Sequence, residues 1–195
     1  MKDFDYLKKI INAWDPMGLL VMGAPRDEYR YEIRSIEERF KDSLSVAELA
    51  DVIRQVFVKA FDEQMFSYVE ADCEKIAYMI LYAIRYHPDV EAEFRMNGAR
   101  STSASDGYRP DHAVTDDYLA SGTHHYYGQR EIAPDGTAIG TITFLTPEAY
   151  PHCLYVGKEI PIREGSKTVG TAVIRFIYNS KIDCDYRKRN KRLPK

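Results

Sequence analysis

Histidines gather in one part of this chain: four of its five lie between residues 112 and 152. They are His112, His124, His125 and His152. Cys153 follows the last of them, and Asp111, Asp116 and Asp117 lie nearby. Imidazole, thiolate and carboxylate groups bind zinc, and a Cys beside a His base can act as a nucleophile. The segment therefore indicates one possible function, a metal-dependent enzyme.

The spacing of these residues argues against that function. The sequence contains no C-x-x-C or H-x-x-x-H pattern. In a strand, the adjacent His124 and His125 would point to opposite faces, so one site could use only one of them. We therefore predict no catalytic residue, no metal ligand and no cofactor, and we expect these side chains to be polar residues of strands and loops.

A second cluster combines carboxylates with aromatic rings between residues 14 and 32. Asp15 suits a turn, and Asp27 with Glu28 suits the start of a helix, where negative charge is stabilising. The functional alternative is an acidic, aromatic surface that binds a basic partner. The residues predicted to contact that partner here are Trp14, Asp15, Asp27, Glu28 and Tyr29.

The C-terminal ten residues, 186–195, include six basic side chains. Such a segment can neutralise phosphates, whereas the alternative is a solvated chain end. The predicted nucleic-acid-binding residues are Lys167, Arg187, Lys188, Arg189, Lys191 and Arg192.

Composition describes a globular protein with an uneven charge distribution. The 195 residues carry a net charge of −3, yet residues 1–97 hold 13 basic and 19 acidic side chains while residues 98–195 hold 14 and 11. The sequence has no apolar run of 18 residues that could span a membrane and no apolar stretch typical of a signal peptide. The odd number of cysteines, three, argues against a disulfide framework. We expect a cytoplasmic protein.

The first half has the periodicity of helices. Apolar residues recur at three- and four-residue spacing over residues 4–14, after Pro25, from Ser45, and from about residue 72 to 85. Ser45 and Glu48 form the sequence pattern of a capping box. We also predict a short helix over residues 89–96, ended by Asn97 and Gly98.

The second half alternates instead, with predicted strands over residues 126–132, 139–145, 153–163 and 168–178. The predicted fold class is α+β: a helical domain followed by a small antiparallel β-barrel. The predicted boundaries are an acidic helical domain over 1–96, a linker over 97–107, the barrel over 108–180 and a basic tail over 181–195.

Three stretches of the second half form a recognisable series. Residues 107–110 read G-Y-R-P, residues 133–147 contain a Pro-Asp-Gly turn, a strand and a Pro, and residues 162–174 read I-R-E-G-S-K-T-V-G-T-A-V-I. In these stretches the chain resembles the third domain of translation elongation factor Tu, whose corresponding last segment is I-R-E-G-x-x-T-V-G-x-G-V-V. The resemblance implies a six-stranded antiparallel barrel that serves as a docking surface. The chain lacks the G-x-x-x-x-G-K-[ST] and Asn-Lys-x-Asp motifs, so GTPase activity is not implied.

The first half resembles a small bacterial helical family of unknown function. The resemblance rests on W-D-P-x-G-L at residues 14–19 and D-E-Y-x-x-E-I at residues 27–33, within residues 4–86. It implies a helical fold and no known activity.

These observations favour a non-catalytic binding or regulatory protein that docks a protein partner and binds no nucleotide and no membrane. The surfaces predicted for docking are residues 14–32 and the hairpin 163–170, with Arg109, Arg163, Glu164 and Lys167. An RNA- or ribosome-associated accessory protein is the alternative, and a metal-dependent enzyme using the histidine-rich segment is the weaker one.

Overall fold

The computed structural model describes residues 3–66 and 69–184. The chain divides into two compact units, residues 1–85 and residues 86–195. The first is helical and the second contains a closed β-barrel, so the predicted α+β class is confirmed. None of the described helices is long and apolar enough to cross a membrane.

Five helices lie among the described residues of the helical unit. They are α1 (Asp3–Trp14), α2 (Arg30–Arg39), α3 (Val46–Phe61), α4 (Glu63–Phe66) and α5 (Cys73–Tyr86), with a 3₁₀ turn at Glu70–Asp72. Each long helix buries one apolar face, as the periodicity predicted. The capping box is also confirmed: the Ser45 hydroxyl accepts the Glu48 N–H, and the Glu48 carboxylate accepts the Ser45 N–H.

The part of the barrel unit that the structure describes contains eight strands. They are β1 (Val90–Met96), β2 (Ala104–Ser105), β3 (Asp111–Thr115), β4 (Tyr118–Tyr126), β5 (Glu131–Ile132), β6 (Thr137–Phe144), β7 (Glu159–Glu164) and β8 (Lys167–Ile177). Six close a barrel in the order β1-β6-β4-β3-β7-β8, and every neighbouring pair is antiparallel. The other two, β2 and β5, pair with each other.

The helix predicted over residues 89–96 is wrong, because this segment is strand β1. Its residues alternate between a buried set, which includes Ala92 and Phe94, and the more exposed Glu93 and Arg95. That period of two is typical of a strand. Glu91 is buried too, and its carboxylate accepts a hydrogen bond from the Tyr127 hydroxyl at 3.0 Å.

The boundary predicted at residues 97–107 is therefore displaced to residues 85–86. Residues 97–107 belong to the barrel unit and contain β2. Asn97 fixes their start, since its amide donates to the Thr168 carbonyl at 3.0 Å and its backbone N–H donates to the Val169 carbonyl at 3.2 Å. Gly98 N–H donates to the Pro134 carbonyl at 2.7 Å. Small polar residues here make turns that belong to a folded unit, so they do not form a linker.

Two predicted strands also differ from the structure at glycines with positive φ. The strand predicted over residues 126–132 is interrupted at Gly128 (φ 68°), and the continuous strand lies earlier, over Tyr118–Tyr126. The strand predicted over 153–163 begins only at Glu159, because a turn at Gly157 (φ 91°) precedes it. Positive φ is incompatible with an extended strand.

The barrel interior is filled by alternate side chains of its strands, and Gly122 makes room for them. A Cβ atom at Gly122 would lie 2.6 Å from Ile142 Cγ2 and 3.1 Å from His112 Cε1. Both neighbours are fully buried, so neither can move aside freely.

We expect the Gly122→Ala substitution to lower the free energy of unfolding by about 1–3 kcal/mol, because the added methyl group overpacks the interior. Urea unfolding monitored by circular dichroism measures this loss. Thr123→Ala, on the outer face of the same strand, is the control and should cost less. Equal losses in the two variants would contradict the packing argument.

Candidate functional site

The histidines of the segment 112–152 occupy three separate places. His112 and His124 lie fully buried inside the barrel, with their Nε2 atoms 2.8 Å apart. His125 points to the other face of β4, where its ring stacks on Tyr86 and its Nδ1 lies 3.1 Å from Asp106. His152 Nδ1 lies 3.0 Å from the Asp183 carbonyl oxygen.

The buried pair forms a hydrogen-bond chain with one direction. The Ala120 carbonyl can only accept, so His112 Nδ1 donates to it at 3.1 Å. In a neutral ring His112 Nε2 then accepts from His124 Nε2, and His124 Nδ1 accepts from the Tyr126 hydroxyl at 3.2 Å. With both imidazoles neutral, each of their four ring nitrogens has a complementary hydrogen-bond partner.

Burial sets the protonation of this pair. It lowers the pKa of His112 to about 4. Burial also lowers the pKa of His124 well below its usual value, and the neighbouring His112 and His125 lower it further. The pair is therefore neutral at physiological pH and packs as part of the core.

Cys153 is not arranged as an activated nucleophile. Burial raises the pKa of its thiol, and the nearby Lys158 opposes that rise only in part. A thiol with a raised pKa holds its proton at neutral pH, whereas the nucleophile is the thiolate. Within residues 3–66 and 69–184, no three His, Cys, Asp or Glu side chains are grouped to hold a metal ion.

The predicted hairpin residues of β7 and β8 hold the segment that leads into β3. Glu164 forms an ion pair with Arg100 and accepts a hydrogen bond from the Tyr108 hydroxyl at 2.8 Å. The Arg100 guanidinium lies 4.4 Å from the centre of the Tyr108 ring. Lys167 donates to the Ala99 carbonyl. The polar ends of Glu164 and Lys167 thus have partners within the barrel unit.

The other predicted cations fall in different places. Arg163 donates to the Ser166 carbonyl at 2.8 Å and so closes the turn between β7 and β8. Arg109 is exposed beside Pro110. The five predicted phosphate-binding residues of the tail, Arg187, Lys188, Arg189, Lys191 and Arg192, lie outside the described residues.

Asp15 organises the loop between α1 and α2. Its backbone is left-handed (φ 45°), which turns the chain sharply after α1. Its carboxylate accepts the N–H groups of Leu20 and Val21 at 3.1 and 2.9 Å and the Tyr29 hydroxyl at 2.6 Å. Burial alone would raise the pKa of Asp15, but these hydrogen bonds outweigh it and hold the pKa below its usual value.

Tyr29 is the buried support of that loop. Its side chain is fully buried and its ring lies 5.9 Å from that of Phe57. Its hydroxyl donates to Asp15 and accepts the Met17 N–H at 3.2 Å. Burial and the bond to Asp15 raise the pKa of Tyr29 far above its usual value, so the hydroxyl remains a donor.

The loop held in this way exposes an apolar tip. Val21 is 88 % exposed and Met22 is 74 % exposed. Met22 N–H donates to the Gly18 carbonyl at 3.0 Å, and Ala24 N–H to the Leu19 carbonyl at 2.9 Å, so the tip is a hydrogen-bonded helical turn. We call residues 18–24 the tip loop.

The remaining predicted residues surround this loop. Trp14 packs against Phe57 and donates from its indole nitrogen to Asp72 at 3.3 Å. Asp27 pairs with Arg30 at 3.0 Å on the exposed surface, and Glu28 is exposed. Of the three carboxylates predicted for a partner within residues 14–32, Asp27 and Glu28 are therefore at the surface, while Asp15 and Tyr29 serve the loop.

Residues 6–86 match the family model of a domain of unknown function, DUF1871. The match covers the helical unit, where the sequence resembles a helical family of unknown function. Asp15 and Tyr29, which belong to the two motifs of that resemblance, both lie within the DUF1871 match. No curated protein matches the chain.

Sequence reasoning missed Val21 and Met22, the two most exposed large apolar side chains among the described residues of the DUF1871 region. The signal was present: four apolar residues, Leu19 to Met22, stand between Gly18 and Gly23, where a loop should be polar. The two motifs contain the polar residues Asp15 and Tyr29, which fix the loop that exposes Val21 and Met22.

The buried histidine pair predicts a pH dependence of stability. An unfolded His has a pKa of about 6.5. As the pH falls from 6.5 towards 4, His112 becomes protonated in the unfolded chain but stays neutral in the folded protein. The free energy of unfolding therefore decreases over this range. We expect the free energy of unfolding to fall by roughly 2 kcal/mol from this group between pH 7.5 and pH 5.

Urea unfolding at the two pH values measures the loss, and a His112→Asn variant should show a smaller one. Imidazole NMR signals of the folded protein provide a second measurement, in which His112 and His124 should not titrate between pH 7.5 and 5. Titration of either ring near pH 6.5 in the folded state would contradict the neutral chain.

Proposed function

We propose that this protein is a non-catalytic binding protein that recognises a protein partner through the tip loop. The observation that carries the proposal is the exposure of Val21 and Met22 on a loop fixed by the Asp15 carboxylate. Adjacent large apolar side chains on a fixed loop suit a partner's apolar pocket, because little conformational entropy is lost on binding.

The chemistry around the tip loop suits a protein ligand. Methionine adapts to irregular apolar pockets, which is why it is frequent at binding surfaces. Exposed charges of both signs follow the tip loop in the sequence, with Asp27 paired to Arg30 and Glu28 close to Arg26, so a partner with charged residues around an apolar pocket would fit. This combination modifies the acidic, aromatic surface expected from the sequence, since Tyr29 is buried.

The barrel supports a second docking surface. Its six antiparallel strands agree with the resemblance to the third domain of elongation factor Tu, in which the barrel is a docking surface. The stretch at residues 162–174 forms β7, β8 and their turn. The barrel also includes β1, which lies upstream of the three resembling stretches. We infer that this docking surface consists of the backbone turn of the β7–β8 hairpin and of Arg109, which precedes β3, because Glu164 and Lys167 have internal partners.

The tip loop can be tested by affinity capture from a lysate of the source cells with the full-length chain as bait. We expect a specific protein to be retained, and its recovery to fall at least tenfold with the Val21→Ser, Met22→Ser double variant. Polar side chains there remove apolar contact area without touching the core.

Met65→Ser is the matched control, because Met65 is 60 % exposed in α4 of the same unit. It should leave recovery unchanged. If no protein is lost with the tip variant, or if the same protein is lost with both variants, the proposed surface is wrong.

RNA association through the C-terminal segment is the second candidate function. It is favoured by the six basic side chains among residues 186–195. Phosphate neutralisation makes such binding fall steeply with salt and leaves it largely independent of sequence.

If this function holds, the purified full-length chain should carry nucleic acid with a high ratio of absorbance at 260 nm to that at 280 nm. Deleting residues 186–195 should remove it, because the rest of the second half holds 8 basic and 11 acidic side chains and is net negative. Binding of tRNA at low salt, measured by gel shift, checks the result. If the full-length chain causes no gel shift of tRNA at low salt, the RNA hypothesis is wrong.

A further inference from the structure

The exposed large apolar side chains of the barrel concentrate at one end. They lie where β4 begins, β6 ends and β7 begins, whereas Ile139 is exposed near the opposite end of β6. They are Tyr118, Leu119, Leu145, Tyr155 and Val156, which are between 36 % and 63 % exposed. We call these five residues the apolar rim. A concentration of this kind marks an interaction surface.

Carboxylates surround the apolar rim. Asp116 and Asp117 are exposed in the turn between β3 and β4. Glu148 is exposed in a short 3₁₀ helix at Pro147–Ala149 that leads to Tyr150, whose ring lies 5.1 Å from that of Tyr118.

Two lysines are also near this end of the barrel. Lys158 donates to the carbonyls of Val114 and Cys153 at 2.7 and 2.8 Å, so its charge is directed inward. Lys181 is exposed and offsets one of the three carboxylates. The described surface around the rim therefore has an excess of negative charge.

The chain leads towards this rim as it leaves the described residues. Leu154 and Asp183 form a parallel bridge, in which Leu154 N–H donates to the Ile182 carbonyl at 2.9 Å and Cys184 N–H to the Leu154 carbonyl at 2.8 Å. Because the pairing is parallel, the chain at Cys184 runs in the same direction as the chain from Leu154 to Val156.

We propose that residues 185–195 bind intramolecularly to the apolar rim. Their six basic side chains complement Asp116, Asp117 and Glu148, and Tyr186 and Leu193 supply apolar contacts. Eleven residues can extend over roughly 35 Å, which is enough to cross the end of a small barrel. This contact is independent of the tip loop.

The contact would make the C-terminal segment self-inhibited towards polyanions. The basic side chains that face the rim carboxylates are the ones that would neutralise phosphates, so a polyanion has to displace the segment from the rim. Removing the rim charge should therefore strengthen binding of heparin, used as the polyanion probe, to the full-length chain.

The proposal is tested with a fluorescent peptide of residues 185–195 and two proteins, the full-length chain and the chain ending at Cys184. Fluorescence anisotropy should show that the peptide binds the shortened chain and binds the full-length chain at least tenfold more weakly, since there the rim is occupied. In the shortened chain, Asp116→Asn with Asp117→Asn, or Leu119→Ser with Val156→Ser, should each weaken binding at least tenfold.

Glu131→Gln with Asp135→Asn is the matched control, because both carboxylates are exposed away from the rim, and it should leave affinity unchanged. Circular dichroism melting confirms that each variant is folded. Absence of peptide binding to the shortened chain, or an equal loss in the control, overturns the proposal. Equal binding of the peptide to both chains also overturns the proposal. A concentration-dependent dimer that is lost in the shortened chain overturns it as well, because the rim would then bind the C-terminal segment of a second copy.

Discussion

The barrel depends on the closure that β1 provides. This strand pairs with β6 along one edge and with β8 along the other. Without it, β6 and β8 would both expose a row of unpaired N–H and C=O groups. Asp89, just before β1, reinforces the closure, because its carboxylate accepts the Phe144 N–H at 2.7 Å and the Asn179 amide at 2.6 Å. Six strands are thus held in a ring by a segment that directly follows the helical unit.

Polar side chains in this protein serve mainly to hold backbone in place. Asp15 organises a loop, Glu164 and Lys167 anchor residues 99–108, and the two buried histidines complete a chain of hydrogen bonds across the barrel. Each satisfies donors or acceptors that would be costly to leave unpaired. The two surfaces that we propose for recognition, the tip loop and the rim, are apolar instead, with charge around them.

The sequence was sufficient for the four long helices of the helical unit, for the cap of α3 and for the fold class, because these follow from local periodicity and a local hydrogen-bond pattern. It was insufficient for β1, whose seven residues are consistent with either a helix or a strand until β6 and β8 are present to pair with them. The candidate site, too, could be predicted only in part from the sequence. Asp15 and Tyr29 could be selected from residue type and motif. The hydrogen bond between them depends on how the loop between α1 and α2 folds back, and no local sequence pattern predicts that.

The pairing of β1 with β8 also constrains the order of folding. Val90 is opposite Ile177, at the two ends of the barrel sequence. The helical unit is rich in local contacts, which form quickly, and it can fold as soon as it is synthesised. The barrel has to wait for its last strand, so during synthesis β1 keeps a free edge until β8 is available to pair with it. A chain that stops before β8 would keep an open sheet, which is prone to aggregation, and barrel completion is the step at which a chaperone would be most useful.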